Sequence, residues 1–280
     1  MKLACSSWSF EQVIAAGQMD QREWLRFCAE ELALDGVELL DRHFPSTDIA
    51  YLREIKKLCA DLYLTICGAS VSNDFGRLET AEGQQEMERV KSWVDIAQFL
   101  GAPVLRVFAG WVPAEQRREQ GRGLPGVLGR LLRREDGARK RLWDEMVSCL
   151  RECAAYAEEK GIVLGLENHD GNGLVVTSDE VERCLREVGS PWLRLNLDTG
   201  NYGDLASIER TLPLAVKVHA KFYDVDEEGR DRRLDWERIM GILTDSGYRG
   251  FLSIEYEGEE DPRTALPRAV GYLRKLMRGA

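Results

Sequence analysis

The chain has 280 residues, 44% of them hydrophobic and 31% charged, with a formal net charge of −10. That apolar share excludes a disordered or fibrous chain, and the acidic balance argues against a sequence-independent grip on nucleic acid, which needs a concentrated positive surface. No stretch approaches the ~18 apolar residues of a membrane span. The opening MKLACSSWSF is too short and too polar for the apolar core of a signal peptide. Seven cysteines (positions 5, 28, 59, 67, 149, 153 and 184) form no CxxC pair, so reduced thiols in a cytoplasmic protein are expected.

Eight short apolar or β-branched runs read as strands: Lys2–Cys5, Gly36–Leu40, Leu62–Cys67, Pro103–Phe108, Ile162–Glu167, Leu193–Asp198, Ala215–Ala220 and Phe251–Glu255. Runs of four to six residues suit strands buried on both faces. Helical spacing fills Gln21–Ala33, Thr47–Ala60, Glu79–Leu100, Ala138–Lys160, Ser178–Val188, Trp236–Ser246 and Pro262–Met277, and the link Tyr202–Leu212 has room for a short helix. This eightfold alternation predicts an α/β chain, a (β/α)₈ TIM barrel forming a single domain over residues 1–280. An open doubly wound sheet would want a glycine-rich turn after the first strand, and CSSWSF has no glycine. One Arg-rich insertion follows the fourth strand: from Glu115 to Arg141 there are nine basic residues against four acidic ones. It reads as a surface excursion or a contact in a homo-oligomer, the alternative being a lid whose guanidinium groups meet an anionic substrate.

The C-terminal ends of barrel strands hold the active site, so the polar residues there matter most. The fifth strand ends in Glu167 with His169 beyond it, the sixth in Asp198, the seventh in His219 and Lys221, the eighth in Glu255. Charges ending consecutive apolar strands are costly to desolvate, and converging carboxylates repel. A divalent cation relieves both, and Glu167, Asp198, His219 and Glu255 offer three oxygens and one nitrogen for it. That donor set suits Mn²⁺ first, with Mg²⁺, Co²⁺ or Zn²⁺ as alternatives. Taken singly, each has a plain reading as an ion pair or a helix cap. His169 is a candidate for substrate contact. Lys221 could hold an oxyanion, or pair with Glu167 or Asp224. Glu38 points inward at the second strand, as a substrate contact or in a salt bridge with Arg106, itself a substrate-binding candidate. Trp8, Phe75 and Trp111 follow the first, third and fourth strands, where rings wall a pocket or simply pack.

The motifs DGVELLDRHFP, VSNDFG, GAPVLRVFAG, LGLENH, LNLDTGN, VHAKFYD and GYRGFLSIEYEG, in that order, resemble the sugar phosphate isomerase/epimerase family of the xylose isomerase-like TIM barrels. The Arg-rich stretch has no place in that pattern. The resemblance implies a metal held by Glu167, Asp198, His219 and Glu255. It also implies that Glu167 and Glu255 exchange protons with a substrate carbon, one on each face.

A metal that chelates a carbonyl and the neighbouring hydroxyl acidifies the C–H between them. Carboxylates on the two faces then remove and return the proton. The expected function is divalent-metal-dependent sugar isomerisation or epimerisation of a ketose or related polyol. Loss of a β-hydroxyl at the same site would instead make a lyase acting on a keto-polyol, inosose or 3-keto-glycoside. Two other readings are weaker. A DNA-repair endonuclease of the superfamily needs more histidines than His43, His169 and His219, and a non-catalytic sugar-binding barrel has no use for the ligand set.

Overall fold

The computed structural model describes residues 1–77, 81–112 and 137–279. The Arg-rich excursion as far as residue 136, and the first residues of the helix expected from Glu79, lie outside the described residues.

Eight parallel strands close a barrel in chain order: β1 (Lys2–Ser6), β2 (Gly36–Leu40), β3 (Thr65–Ser70), β4 (Val104–Val107), β5 (Val163–Glu167), β6 (Leu193–Asp198), β7 (Ala215–Phe222) and β8 (Phe251–Tyr256). The register that seals it pairs Lys2 with Phe251 and Cys5 with Ile254. Nine helices surround the described barrel: α1 (Glu11–Ala15), α2 (Gln21–Glu30), α3 (Ile49–Asp61), α4 (Ala81–Leu100), α5 (Gly137–Lys160), α6 (Ser178–Val188), α7 (Leu205–Thr211), α8 (Trp236–Asp245) and α9 (Pro262–Gly279). The expected short helix after the sixth strand is α7, whereas α1 carried no apolar periodicity long enough to be seen.

Local chemistry explains several starts and stops. Asp20 with Glu23 and Thr177 with Glu180 form reciprocal capping boxes on α2 and α6. Gly189 at φ +70° ends α6 in the left-handed conformation that glycine adopts without a steric penalty. One strand differs from expectation. The run Leu62–Cys67 starts too early, because α3 continues to Asp61 and Tyr63 turns the chain at φ +58°, so β3 begins at Thr65. Leu62 and Leu64 serve the core from that turn, and a short apolar run cannot distinguish such packing from a strand.

Alternate strand residues such as Leu39, Leu105, Leu164 and Leu252 meet Trp24, Ile55, Val94 and Ile239 of the helices in one core cluster. The other face of each strand points into the barrel, where it is largely polar. All seven cysteines are buried and free. Burial pushes the thiols of Cys59, Cys67, Cys153 and Cys184 up to about 12, which makes them inert.

Candidate functional site

Period-two alternation stacks charged residues inside the upper barrel. Arg106 of β4, Glu167 of β5, Asp198 of β6, His219 and Lys221 of β7 and Glu255 of β8 are all buried there. Glu167, Asp198, His219 and Glu255 each offer a ligand atom, and the four atoms lie within 4.8 Å of one another. Nδ1 of His219 lies 3.3 Å from Oε2 of Glu167 and 3.3 Å from Oε1 of Glu255. Oδ2 of Asp198 is 3.9 Å from the same nitrogen.

The electrostatics follow from that crowding. Burial raises the Asp198 carboxyl and Lys221 opposes it, but Glu167 and Glu255 add to the burial, leaving the group at about 6. Burial also disfavours charge on Glu255, yet His219 and Lys221 outweigh it and hold the carboxyl far below its ordinary range. For Glu167, His219 and Arg106 likewise overcome burial and lower it. His219 shows the reverse balance: burial lowers it, while Glu255, Glu38 and Glu167 together drive it well above the ordinary imidazole value. Lys221 is locked by Asp198 at 3.1 Å, Glu255 at 2.9 Å and Glu257 at 3.0 Å.

Two details fit this cluster to a divalent cation. Nδ1 of His219 and Oδ2 of Asp198, 3.9 Å apart, are buried and make no hydrogen bond, Oδ2 having only its ion pair with Lys221. The charge count agrees. The buried carboxylates Glu38, Glu167, Asp198 and Glu255 face the buried cations Arg106, Lys217 and Lys221, so one positive charge is wanting unless His219 carries it, and a bound cation would supply that charge and leave His219 neutral.

The cluster opens into a pocket of about 210 Å³ lined by Trp8, Arg42, Arg106, Phe108, Trp111, His169, Asn201, Lys221 and Glu257 among others. The indole Nε1 of Trp8 donates to Glu257 at 2.7 Å. The rings of Phe108, Trp111 and His169 stand edge-on or tilted to one another with centroids 4.9–5.4 Å apart. His169 follows the end of β5 and still reaches the pocket beside Glu167. Trp111→Ala is expected to raise KM about tenfold, roughly 1.4 kcal/mol, with a smaller effect on kcat, because the ring walls the pocket away from the charged cluster. Steady-state kinetics measure the split, and an unchanged KM would remove Trp111 from substrate contact.

The aromatic wall rests on a close backbone approach. Gly110 lies at φ +100°, and a Cβ there would stand 2.4 Å from the amide nitrogen of Gly76. Oδ1 of Asp74 accepts from the backbone N–H of both Gly76 and Trp111 at 2.9 Å, tying the β3 and β4 exits together. Gly110→Ala is therefore expected to cost about 1–3 kcal/mol of stability or more, read from urea unfolding, and to loosen the pocket wall. A variant as stable as the parent would contradict that.

Three pairings differ from expectation. Arg106 pairs with Glu167 at 3.1 Å and lies over Phe108, with its guanidinium 3.9 Å from the ring centroid, so it does not bridge to Glu38. β4 and β5 are neighbours in the sheet, and Arg106 stands in register with Gly165, one step before Glu167 on the same face. Glu38 is fully buried beside His219 and lines no part of the pocket. Lys221 takes Asp198, Glu255 and Glu257 as partners, not Glu167 or Asp224. Phe75 is fully buried in the core. Sequence reasoning did not find Phe108, Arg42 or the buried Lys217. For Lys217, counting two residues back from His219 was the available signal.

Matched against known families, the chain belongs to the xylose isomerase-like TIM barrels, whose profile covers residues 28–276. An inosose dehydratase of Erwinia tasmaniensis is 28% identical over 246 residues, 76% of this chain and 78% of that protein. The C-glycoside deglycosidase alpha subunit of Arthrobacter globiformis is 37% identical over 76 residues, which span 25% of this chain and only 22% of that subunit. Among solved structures, a 3-keto-D-glucoside 4-epimerase from E. coli superposes with a TM-score of 0.71 at 18% identity, covering 99% of each chain, a likeness of fold. Inosose dehydratases are thus among the sequence relatives of this chain, and a sugar epimerase shares its fold. Among the described residues, no helix is long and apolar enough to cross a membrane.

Proposed function

We propose that this barrel is a metal-dependent enzyme that moves a proton at the carbon next to a sugar or polyol carbonyl, with epimerisation or aldose–ketose isomerisation as its outcome. The observation that carries the reading is the convergence of Glu167 and Glu255 on His219 Nδ1, each at 3.3 Å, beside Asp198 and beneath an aromatic-walled pocket. Glu167, Asp198, His219 and Glu255 would hold one divalent ion, Mn²⁺ first and Mg²⁺, Co²⁺ or Zn²⁺ otherwise. When bound, such an ion supplies a Lewis acid that polarises a carbonyl oxygen and acidifies the adjacent C–H.

The chain's own groups do the rest. Glu255, ionised despite its burial because His219 and Lys221 oppose it, takes the proton onto a carboxylate oxygen. Glu167, steadied by Arg106 at 3.1 Å and ionised at rest, would take up a proton from solvent through the pocket and pass it to the carbon in return. Lys221 keeps Asp198 and Glu255 in place and presents a cation to oxygen that gains charge in the reaction. Arg106, His169, Trp8 and Trp111 line the pocket and orient a small polyol. A dehydratase outcome is the second reading. It draws on the similarity to inosose dehydratases over three quarters of the chain, and it shares the same first proton transfer.

The test is solvent exchange. Protein loaded with Mn²⁺, then exchanged into Mg²⁺ for NMR, is incubated in D₂O with a panel of ketoses, inososes and 3-keto-glycosides. Deuterium at the carbon beside the carbonyl is expected for at least one of them, with an epimer or a dehydrated product distinguishing the two outcomes. No exchange with any member of the panel would overturn the reading.

A further inference from the structure

Beneath the cluster lies a second set of buried charges that the proposed chemistry does not use. Glu38 is 0% exposed and Lys217 2%, and neither lines the pocket. Four donors reach the Glu38 carboxylate from three strands. They are Ser70 Oγ at 2.5 Å, Ser253 Oγ at 2.6 Å, His219 Nε2 at 3.0 Å, and the Lys217 ammonium. An ionised carboxylate has about four lone-pair sites, so nothing remains for a metal or a substrate. β2 and β7 are not neighbours in the sheet, so the contacts of Glu38 with Lys217 and His219 cross the barrel interior.

Room for this arrangement is built into the backbone. Gly68 stands in register with Glu38, and a Cβ at Gly68 would sit 2.9 Å from the Lys217 ammonium. The orientation has a chemical consequence. With the Lys217 ammonium and two hydroxyls gathered on it, the Glu38 carboxylate serves as the acceptor, so in the 3.0 Å contact Nε2–H of His219 donates. With a metal bound, the one proton of the ring would then sit on Nε2, leaving Nδ1 to face Glu167, Asp198 and Glu255.

We infer that Glu38 is a positioning residue for the metal site, fixing the ring and tautomer of His219 through Nε2 while Lys217 holds Glu38 in place. This rests on the metal reading above. A carboxylate behind a metal-facing imidazole both orients the ring and makes it a better donor, and its loss costs about 10–100-fold in metal affinity. The competing explanation is that Glu38 merely neutralises Lys217.

The two are separated by variants that remove the ion pair as a unit, measured by equilibrium dialysis against Mn²⁺ alone. Glu38→Leu with Lys217→Met leaves no orphaned charge, and Mn²⁺ binding about 10–100-fold weaker than the parent is expected. Glu38→Gln with Lys217→Met keeps a hydrogen-bond acceptor for Nε2–H, and should recover part of that loss. Parental affinity in the Leu variant, or equal weakness in both, overturns the inference.

Should the variants fail to fold, the wild type answers by itself. With ¹⁵N-labelled histidine and Zn²⁺ bound, one of only three imidazoles should show Nδ1 on the metal and a slowly exchanging proton on Nε2. Metal on Nε2, or a freely exchanging proton there, overturns the inference alone. A wild type that takes up no ion sinks the metal reading, and this inference with it.

Discussion

Glu255→Gln is expected to lower kcat by about 10²–10⁴-fold while the protein remains folded, the loss typical of removing a positioned general base. The side chain is 5% exposed, and its charge is held against burial by His219 and Lys221. Glutamine preserves shape and the hydrogen bond from Lys221 but cannot accept a proton from carbon. Steady-state kinetics on whichever substrate exchanges deuterium measure the loss, with thermal unfolding as the control for folding. A variant that keeps more than a tenth of the parental kcat would take Glu255 out of the chemistry.

Lys221→Met should destabilise the metal-free protein by about 3–5 kcal/mol, the usual consequence of breaking a buried ionic network on one side. Asp198, Glu255 and Glu257 all lie within 3.1 Å of its ammonium, and the side chain is 4% exposed, so three carboxylates lose their counter-ion together. A cation bound beside Asp198 and Glu255 replaces part of that charge. Mn²⁺ at a hundred times its Kd adds about 2.7 kcal/mol by linkage in any variant that binds it, and the rescue in Lys221→Met should be at least as large as in the parent. Urea unfolding with and without Mn²⁺ gives both numbers. A metal-free Lys221→Met as stable as the parent would show that water reaches these carboxylates and that the cluster is not sealed.

The strand ends were legible in the sequence because a charge closing an apolar run is conspicuous, and Glu167, Asp198, His219 and Glu255 each stand that way. Positions inside the runs were harder to read. Lys217 in AVKV and Ser253 in FLSI interrupt apolar runs and Ser70 closes ICGAS, and a lone polar residue carries little weight against its neighbours. Period two was present throughout, since Lys217, His219 and Lys221 share one face of β7. Strand alternation predicts the face, but it does not choose partners. The Arg106–Glu167 and Lys221–Glu255 pairs depend on which strands adjoin and at what stagger, as the register of β4 with β5 and of β7 with β8 shows. The early start assigned to the third strand has a related cause. Leu62 and Leu64 flank a left-handed Tyr63, a backbone state that side-chain patterning does not reveal for a non-glycine residue.

Metal stoichiometry tests the whole reading most directly. Wild type and Asp198→Ala are stripped with chelator, dialysed against Mn²⁺ and analysed for metal per chain, with melting temperature followed in parallel. About one ion per wild-type chain, a higher melting temperature on loading, and loss of both in Asp198→Ala are expected. No bound ion, and no stabilisation by Mn²⁺, Mg²⁺, Co²⁺ or Zn²⁺, would contradict it and leave the four residues as an ion-pair network inside a barrel without this chemistry.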